Sequence, residues 1–191
     1  MALTPPKGKA FELPPEGPIS GVCTRVIDTG THYNEKFKKN IHQVSIGFEL
    51  DELMEDGRPF FISKRYTYSL HEKSKLRPAL ESWRGKAYSE EELNNVNLLK
   101  LLNNPACLNI VHENGYANIK AIMPLLEGMK IPKASSECIG FEIENFNKDV
   151  FSKLPDSMKY RIRLSKEYLS MQENREKSDE SPSEEDGDIP F

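Results

Sequence analysis

The stretch that decides the fold spans residues 41–50 and reads IHQVSIGFEL. Its side chains alternate between apolar and polar with a period of two, which is the spacing of a β-strand with one face towards a core. The apolar face carries His42, Val44, Ile46, Phe48 and Leu50. The opposite face carries Gln43, Ser45, Gly47 and Glu49. The sequence therefore predicts a half-buried strand, with its single histidine at the edge of the core.

Two more strands flank this one. Residues 19–28 and 58–70 are rich in β-branched and aromatic residues, and Asp56-Gly57 supplies a hairpin turn before the later strand. One face of the later strand is apolar and aromatic: Phe60, Ile62, Tyr66 and Tyr68. The other face carries Phe61, Ser63, Arg65 and Thr67. Residues 29–40, between the first two strands, are polar and predict a loop.

A helical connection separates these strands from two further ones. Leu76, Leu80 and Trp83 recur at helical spacing, and Ser89 forms a capping box with Glu92, so residues 72–102 predict helices. Residues 106–112 and 116–123 predict strands joined by a tight turn. Three strands, helices and two strands follow the order of an OB-fold, a five-stranded, partly open barrel. The predicted fold is mainly β; another small β-barrel or an α+β sheet is the alternative.

Composition divides the chain into four segments. Residues 1–18 contain five prolines and predict an extended N-terminal arm. Residues 19–147 form the predicted OB-fold domain, residues 148–171 a helical extension, and residues 172–191 a disordered acidic tail. The main helix of the extension is expected to carry one stripe of residues: Tyr160, Leu164, Tyr168 and Met171.

Charge is unevenly distributed along the chain. The formal net charge is −4, and residues 171–191 carry eight acids and two bases, which leaves +2 on residues 1–170. A basic body beside an acidic tail indicates an anionic ligand for the body. No apolar run approaches the ~18 residues of a membrane span. The three scattered cysteines and the lack of a signal-peptide pattern predict a reducing cytoplasm.

Catalytic patterns are missing from the sequence. It contains no phosphate-binding G-x-x-x-x-G-K-[ST] loop and neither a C-x-x-C nor an H-x-x-x-H metal spacing. Cys23, Cys107 and Cys138 have no identifiable catalytic partner and are expected to be small buried residues. We therefore expect no enzyme activity, no metal and no cofactor.

Single-stranded nucleic acid is bound by cations that follow the phosphates and by flat rings that stack on bases. Four regions combine the two: the predicted loop, the third strand, the helical connection and the last turn. Their candidate DNA-contacting residues are Tyr33, Lys36, Phe37, Lys38, Lys39, Lys64, Arg65, Tyr66, Tyr68, Trp83, Arg84, Lys86, Tyr116 and Lys120. Trp83 also suits the core, and Tyr66 and Tyr68 lie on the apolar face of their strand. Arg65, on the opposite face, is the better contact.

The sequence ends in an acidic, Ser-rich run closed by Ile189-Pro190-Phe191. Residues 178–188 hold six carboxylates and no Lys or Arg. An apolar end behind an acidic leader suits a hydrophobic pocket rimmed by Arg or Lys. This ending resembles the C-terminal tip of bacterial and phage single-stranded-DNA-binding proteins, which end in acidic residues followed by Ile-Pro-Phe. Gly187 departs from the bacterial pattern, which usually has a third Asp there.

The resemblance implies a non-enzymatic protein that binds and protects single-stranded DNA during replication, recombination or repair. It implies little sequence preference and a cytoplasmic location in a bacterial cell or a phage-infected host. It also implies that the tip recruits replication, recombination or repair proteins through Asp186, Asp188, Ile189, Pro190 and Phe191. Homo-oligomerisation stays open. Two alternatives stand beside this interpretation: an interaction adaptor, and a single-strand annealing factor of a phage recombination system.

Overall fold

The computed structural model describes residues 12–179, with side chains for residues 12–175. Residues 1–11 of the predicted arm lie outside this range. The predicted partner-binding residues Asp186, Asp188, Ile189, Pro190 and Phe191 lie outside it as well.

The described residues form an open antiparallel sheet, so the prediction of a mainly β fold is confirmed. The strands are β1 (Gly17–Asn34), β2 (Lys39–Leu53), β3 (Pro59–Thr67), β4 (Pro105–Glu113), β5 (Tyr116–Met123) and β6 (Ile139–Phe141). They follow the path β3-β2-β1-β4-β5, and β6 pairs with β1. The hydrogen-bonded path does not close, so the OB-fold barrel stays a prediction at this point.

Helices lie between β3 and β4, as predicted, and after β6. They are α1 (Leu76–Arg84), α2 (Glu90–Asn94), α3 (Lys148–Lys153), α4 (Asp156–Arg163) and α5 (Lys166–Asp179), with a 3-10 turn at Leu98–Leu101. The capping box predicted for Ser89 and Glu92 begins α2, because each residue bonds the backbone N–H of the other. No helix among residues 12–179 is long and apolar enough to cross a membrane.

Two compact units make up the described chain. The first, which we call the sheet unit, comprises residues 12–27 and 44–140. The second, which we call the hairpin unit, comprises residues 28–43 and 141–179. This division differs from the predicted segments, because the end of β1 and the start of β2 belong with the C-terminal helices.

In the sheet unit, β2 is buried on both faces, whereas the sequence predicted burial on one. Phe48 lies edge-on to Trp83, with 5.2 Å between ring centroids, on the apolar face. On the polar face Glu49 is only 5% exposed. Its carboxylate accepts hydrogen bonds from the Ser135 N–H (2.6 Å) and the Ser136 hydroxyl (2.5 Å). Burial alone would raise the pKa of Glu49, but these bonds hold it below its ordinary value.

In the hairpin unit, the prediction of a loop at residues 29–40 is wrong. The first strand continues to Asn34 and the second begins at Lys39, so only a short turn remains. Lys38 lies in this turn with φ +50°, and the Asn34 side chain accepts the Phe37 N–H at 3.1 Å. Polar residues form strand here because they gain hydrogen bonds: the Thr29 hydroxyl donates to the Gln43 carbonyl at 2.9 Å.

The C-terminal helical region also differs from its prediction. One helix with a stripe of Tyr160, Leu164, Tyr168 and Met171 was expected, but the chain forms α4 and α5 with a break at Ser165. Tyr160 is 65% exposed, and the buried residue of α4 is Ile162. The fully buried Ser165 accepts the Tyr168 N–H and thereby begins a new helix. That helix continues to Asp179, past the tail boundary predicted at residue 172.

Candidate nucleic-acid interface

The sheet unit carries an exposed aromatic ring above a glycine on the outward face of β3. Phe61 is 41% exposed, and the Arg25 guanidinium carbon lies 4.2 Å from its ring centroid. Gly47 lies beside both residues: a Cβ atom there would overlap the Phe61 ring and fall 3.3 Å from the Arg25 Cβ. Only glycine lets the ring lie so close to the backbone of β2. We call Arg25, Gly47 and Phe61 the aromatic platform.

Arg25 of this platform has no hydrogen-bonded anion among residues 12–175. Among the described residues, no oxygen accepts a hydrogen bond from its guanidinium, although the Glu49 charge acts on it. Burial lowers the pKa of Arg25, and Glu49 partly offsets this effect. A partly desolvated guanidinium with its donors available can bind phosphate or carboxylate oxygens in a fork.

A groove of ≈ 540 Å³ opens beside the platform. Arg25 and Phe61 line it together with Arg58, Met54 and Pro14. Its size matches a small-ligand site, and its lining combines apolar surface with a few charges, as such sites do. The groove can therefore admit a flat apolar group beside the ring, and its lining also includes the guanidinium groups of Arg25 and Arg58 and the carboxylates of Glu12 and Glu49.

Two of the rings predicted to stack on bases belong to the core of the sheet unit. Tyr66 is 4% exposed and Trp83 is 7% exposed. The Trp83 indole N–H donates to the Pro105 carbonyl at 2.8 Å, which satisfies its polar group inside the core. Burial also raises the pKa of Tyr66 to about 12. Neither ring can stack on a base without leaving the core.

The other predicted rings of the sheet unit lie at its surface. Tyr116 is 70% exposed at the start of β5, and Tyr68, just after β3, is exposed too. Arg65 is exposed on the outward face that carries Phe61, as the alternation predicted. The exposed Phe61 and Arg65 thus lie on the face of β3 opposite the one that carries most of the strand's rings.

The predicted cations of the sheet unit differ in how far they are engaged. Lys64 is held by the Ile119 carbonyl at 2.6 Å, and its pKa is lowered by burial and then by the charges of Lys75 and Lys120. Arg84 is paired with Glu92 at 2.7 Å. The remaining candidates, Lys86 and Lys120, are exposed, and Lys120 lies 3.5 Å from Glu113. Lys64 and Arg84 therefore already make structural contacts, which a ligand would have to displace.

In the hairpin unit, all five predicted contacts gather at the β1–β2 turn. Tyr33 and Phe37 are both more than half exposed, and the Lys36 ammonium lies 5.7 Å from the Phe37 ring centroid. Lys38 and Lys39 are exposed beside them, and Lys38 makes one exposed contact of 3.4 Å with Glu35. We call residues 33–39 the hairpin tip. It combines rings and cations, as single-strand binding requires.

Phe61 and Arg25 are ligand-contacting candidates that the sequence patterns did not single out. The signal for Phe61 was present, since the alternation of residues 58–70 put it on the same face as Arg65. Nothing in the sequence linked Arg25 to that ring, because the contact crosses strands. The sequence did not indicate the role of Gly47 either, since that role follows from the close approach of the Phe61 ring to the backbone of β2 and not from a local turn.

Two of the cysteines are buried, and His42 is bonded to a carboxylate. Burial raises the pKa of Cys23 to about 12 and also raises that of Cys107, so neither is a ready thiolate. His42 is half-buried and bonded to Asp28 at 2.6 Å. Residues 12–179 contain no group of three His, Cys, Asp or Glu arranged to hold a metal ion. Comparisons with protein families, curated proteins and solved structures gave no match.

Proposed function

We propose that this protein binds single-stranded DNA through an OB-fold core and recruits other proteins through its acidic C-terminal tip. The strand path β3-β2-β1-β4-β5, with helices inserted between β3 and β4, supports the OB-fold. In a five-stranded barrel the end strands of such a path approach each other. The bond from Lys64 on β3 to the Ile119 carbonyl on β5 joins these two strands here.

The observation that carries the proposal is the aromatic platform. The exposed part of this ring and the guanidinium plane over it give a base a flat surface to stack on, at about 1–3 kcal/mol per base, whatever the base is. The adjacent Arg25 guanidinium offers donors to a phosphate. Rings that stack and cations that follow the backbone read no base edges, so the resulting binding has little sequence preference.

The hairpin tip supports the same function. Its lysines would release counterions from the phosphate backbone, which makes affinity fall steeply with salt. Tyr33 and Phe37 give the tip two exposed rings among those cations. Both units thus carry the combination that favours single strands, whose bases are free to stack, over duplex.

Partner recruitment is proposed from the tail sequence alone. An acidic leader followed by Ile189, Pro190 and Phe191 suits an apolar pocket rimmed by basic residues. The tail has the charge of the DNA ligand, so it would compete with DNA for the basic surfaces of the body. Replication, recombination or repair proteins are the partner class.

Phe61→Ala tests the platform. It should lower affinity for a dT oligomer by about 1–3 kcal/mol, because the stacking surface is removed. Fluorescence anisotropy in low salt measures this, with Leu126→Ala as a control that truncates an exposed apolar residue elsewhere in the sheet unit. Equal affinity for the wild type and the Phe61 variant would move the stacking site away from the platform.

Deletion of residues 189–191 tests the division of labour. We expect loss of partner capture with DNA affinity equal or slightly higher, since the apolar anchor is removed and competition from the tail does not increase. Pull-down from a bacterial lysate and anisotropy on the same preparation measure both quantities. A marked loss of DNA affinity on this deletion would contradict the separation of roles.

One gel-shift series separates the proposed function from its alternatives. Single-stranded DNA, duplex and RNA are compared at two salt concentrations. No shift of single-stranded DNA by micromolar protein in low salt would overturn the proposal and leave the adaptor interpretation. Rapid pairing of complementary strands in the same reactions would favour an annealing factor.

A further inference from the structure

Within the hairpin unit, one carboxylate of helix α5 accepts hydrogen bonds from the β1–β2 hairpin. Glu167, in the first turn of α5, accepts the Thr31 N–H at 2.7 Å and the Thr31 hydroxyl at 2.5 Å. The two bonds join residues 136 positions apart in sequence. A bidentate contact to an ionised group fixes orientation as well as distance.

The backbone of β1 lies close to side chains at the start of α5 at the same place. Gly30 has φ +75°, and a Cβ atom there would overlap the Ser165 side chain and come within 2.8 Å of Glu167 Oε2. Gly30 therefore serves both a left-handed backbone and a contact with the start of α5. A third bond, from the Arg161 guanidinium to the Gln43 side chain, ties α4 to the other strand of the hairpin.

His42 lies between the Glu167 carboxylate and a second carboxylate, that of Asp28. His42 Nε2 lies 2.6 Å from Asp28 Oδ1, and its Nδ1 lies 3.9 Å from Glu167 Oε1. Asp28 is buried and also accepts the Gly30 N–H at 2.8 Å. The imidazole thus sits between a carboxylate of β1 and a carboxylate of α5, and in its protonated form it neutralises part of both charges.

The surroundings favour that protonated form. The pKa of His42 is raised, chiefly by the hydrogen bond to Asp28 and further by the charges of Glu167 and Glu144. Glu144 precedes α3, so carboxylates from three parts of the unit act on this ring. Burial would raise the pKa of Glu167, but the bonds from Thr31 and the charge of His42 lower it below its usual range. Both shifts therefore favour the charged form of each partner.

We propose that Asp28, His42 and Glu167 form a proton-operated clamp by which α5 positions the hairpin tip for binding to single-stranded DNA. The three residues do not touch DNA: they are positioning residues that hold the strands carrying Tyr33 and Phe37. This inference rests on the proposed function in so far as the tip is a DNA contact. The clamp itself is a property of the hairpin unit and is testable without DNA.

The two pKa shifts define the pH window of the clamp. His42 has a raised folded-state pKa, so its contribution is complete below its unfolded value near 6.5 and is lost as pH rises through the folded value. Glu167 has a lowered folded-state pKa, so its contribution is present above 4.5 and is lost as pH falls through the folded value. The clamp should be tightest between these limits and loosen on either side.

Hydrogen exchange of the hairpin amides tests the clamp directly. Protection factors for residues 29–43 of the full-length protein are compared between about pH 5.5 and about pH 8.5, since a histidine switch acts in this range. We expect the protection of the residue-31 amide to fall about tenfold in Thr31→Val, which removes the hydroxyl bond to the ionised carboxylate, and in Glu167→Ala, which removes both bonds. Glu173→Gln is the matched control: it removes the same charge from an exposed site of α5.

His42→Gln separates the proton from the hydrogen bond. Glutamine can still donate to Asp28 but does not titrate in this range, so the variant should fold while its protection becomes independent of pH up to about pH 8.5. A pH profile identical to that of the wild type would overturn the role of His42. Unchanged protection in both Thr31→Val and Glu167→Ala would overturn the clamp.

A DNA arm distinguishes failure of the clamp from failure of the proposed function. If the tip binds DNA, Glu167→Ala should weaken dT-oligomer binding about threefold to tenfold and Glu167→Gln by less, because glutamine retains one acceptor for the Thr31 N–H. Loss of protection without any change in DNA affinity would keep the clamp and remove the tip from the DNA site. Wild-type protein that binds no DNA would overturn the proposed function and leave the exchange result intact.

Discussion

The two units hold their exposed rings in different ways. In the sheet unit Phe61 lies on the backbone of the neighbouring strand, with Arg25 on the strand beyond, so the sheet itself fixes the ring. In the hairpin unit Tyr33 and Phe37 stand on a turn whose strands are held by a helix far along the chain. The first arrangement is fixed when the strands pair. The second depends on the C-terminal helices staying in contact with the hairpin.

Substitution of Trp83 tests how the sheet unit is held together and should have the largest effect on the free energy of unfolding. Trp83→Ala should lower the free energy of unfolding by about 3–5 kcal/mol, because it removes a large ring from the core of the sheet unit. Trp83→Phe should recover most of the loss and bind DNA like the wild type. Denaturant unfolding and anisotropy measure the two quantities.

Tyr116→Ala is the matched control for Trp83. Its ring is exposed, so stability should hardly change while DNA affinity falls. If Trp83→Phe lost DNA affinity at unchanged stability, the tryptophan would be a stacking residue after all.

Gly47 tests whether the backbone of β2 fixes the platform ring. Gly47→Ala should lower the free energy of unfolding by about 1–3 kcal/mol, because the added methyl group overlaps the Phe61 ring. In a Phe61→Ala background the same change should cost much less, since the obstructing ring is gone. A double-mutant cycle by urea unfolding measures this coupling. Additive effects would show that the strain comes from another neighbour.

Charge reversal of the lysines at the hairpin tip should have the smallest effect on stability and a clear effect on DNA binding. Simultaneous reversal of Lys36, Lys38 and Lys39 to Glu should lower affinity and reduce the slope of log K against log salt by about one for each phosphate that is no longer neutralised. Thermal unfolding should hardly move, because these side chains are exposed. Lys148→Glu, an exposed reversal elsewhere in the hairpin unit, serves as the control. An unchanged slope would move the phosphate path away from the tip.

Local patterns predicted the strands of the sheet unit well. Alternation in residues 58–70 put Tyr66 inside and Arg65 outside, and β5 has the bounds that the sequence predicted. The turn before β5 also matches, with positive φ at Asn114 and Gly115. These features depend on neighbours within a few residues, which is what a single sequence reports.

Features that depend on distant contacts were not predictable. Residues 29–34 are polar enough to resemble a loop, yet they form strand because Thr31 bonds Glu167. Lys64 resembles a DNA contact until the Ile119 carbonyl is seen to hold it. The prediction of one stripe of residues along a single C-terminal helix is wrong because Ser165 starts a new helix there. In the first two cases a partner far along the chain decided the outcome, and in the third a buried serine did.

Glu49 has a consequence for the order in which the protein is made. Its carboxylate lies in an early strand, but the groups that satisfy it follow 86 and 87 residues later. During synthesis β1, β2 and β3 leave the ribosome long before Ser135 does, so this charge stays hydrated while the first hairpins pair. An ionised group without partners resists burial, which keeps the polar face of β2 accessible until the later segment arrives. We expect that face to be completed only after Ser135 and Ser136 emerge, so that it stays accessible to chaperones while the first strands of the nascent chain pair.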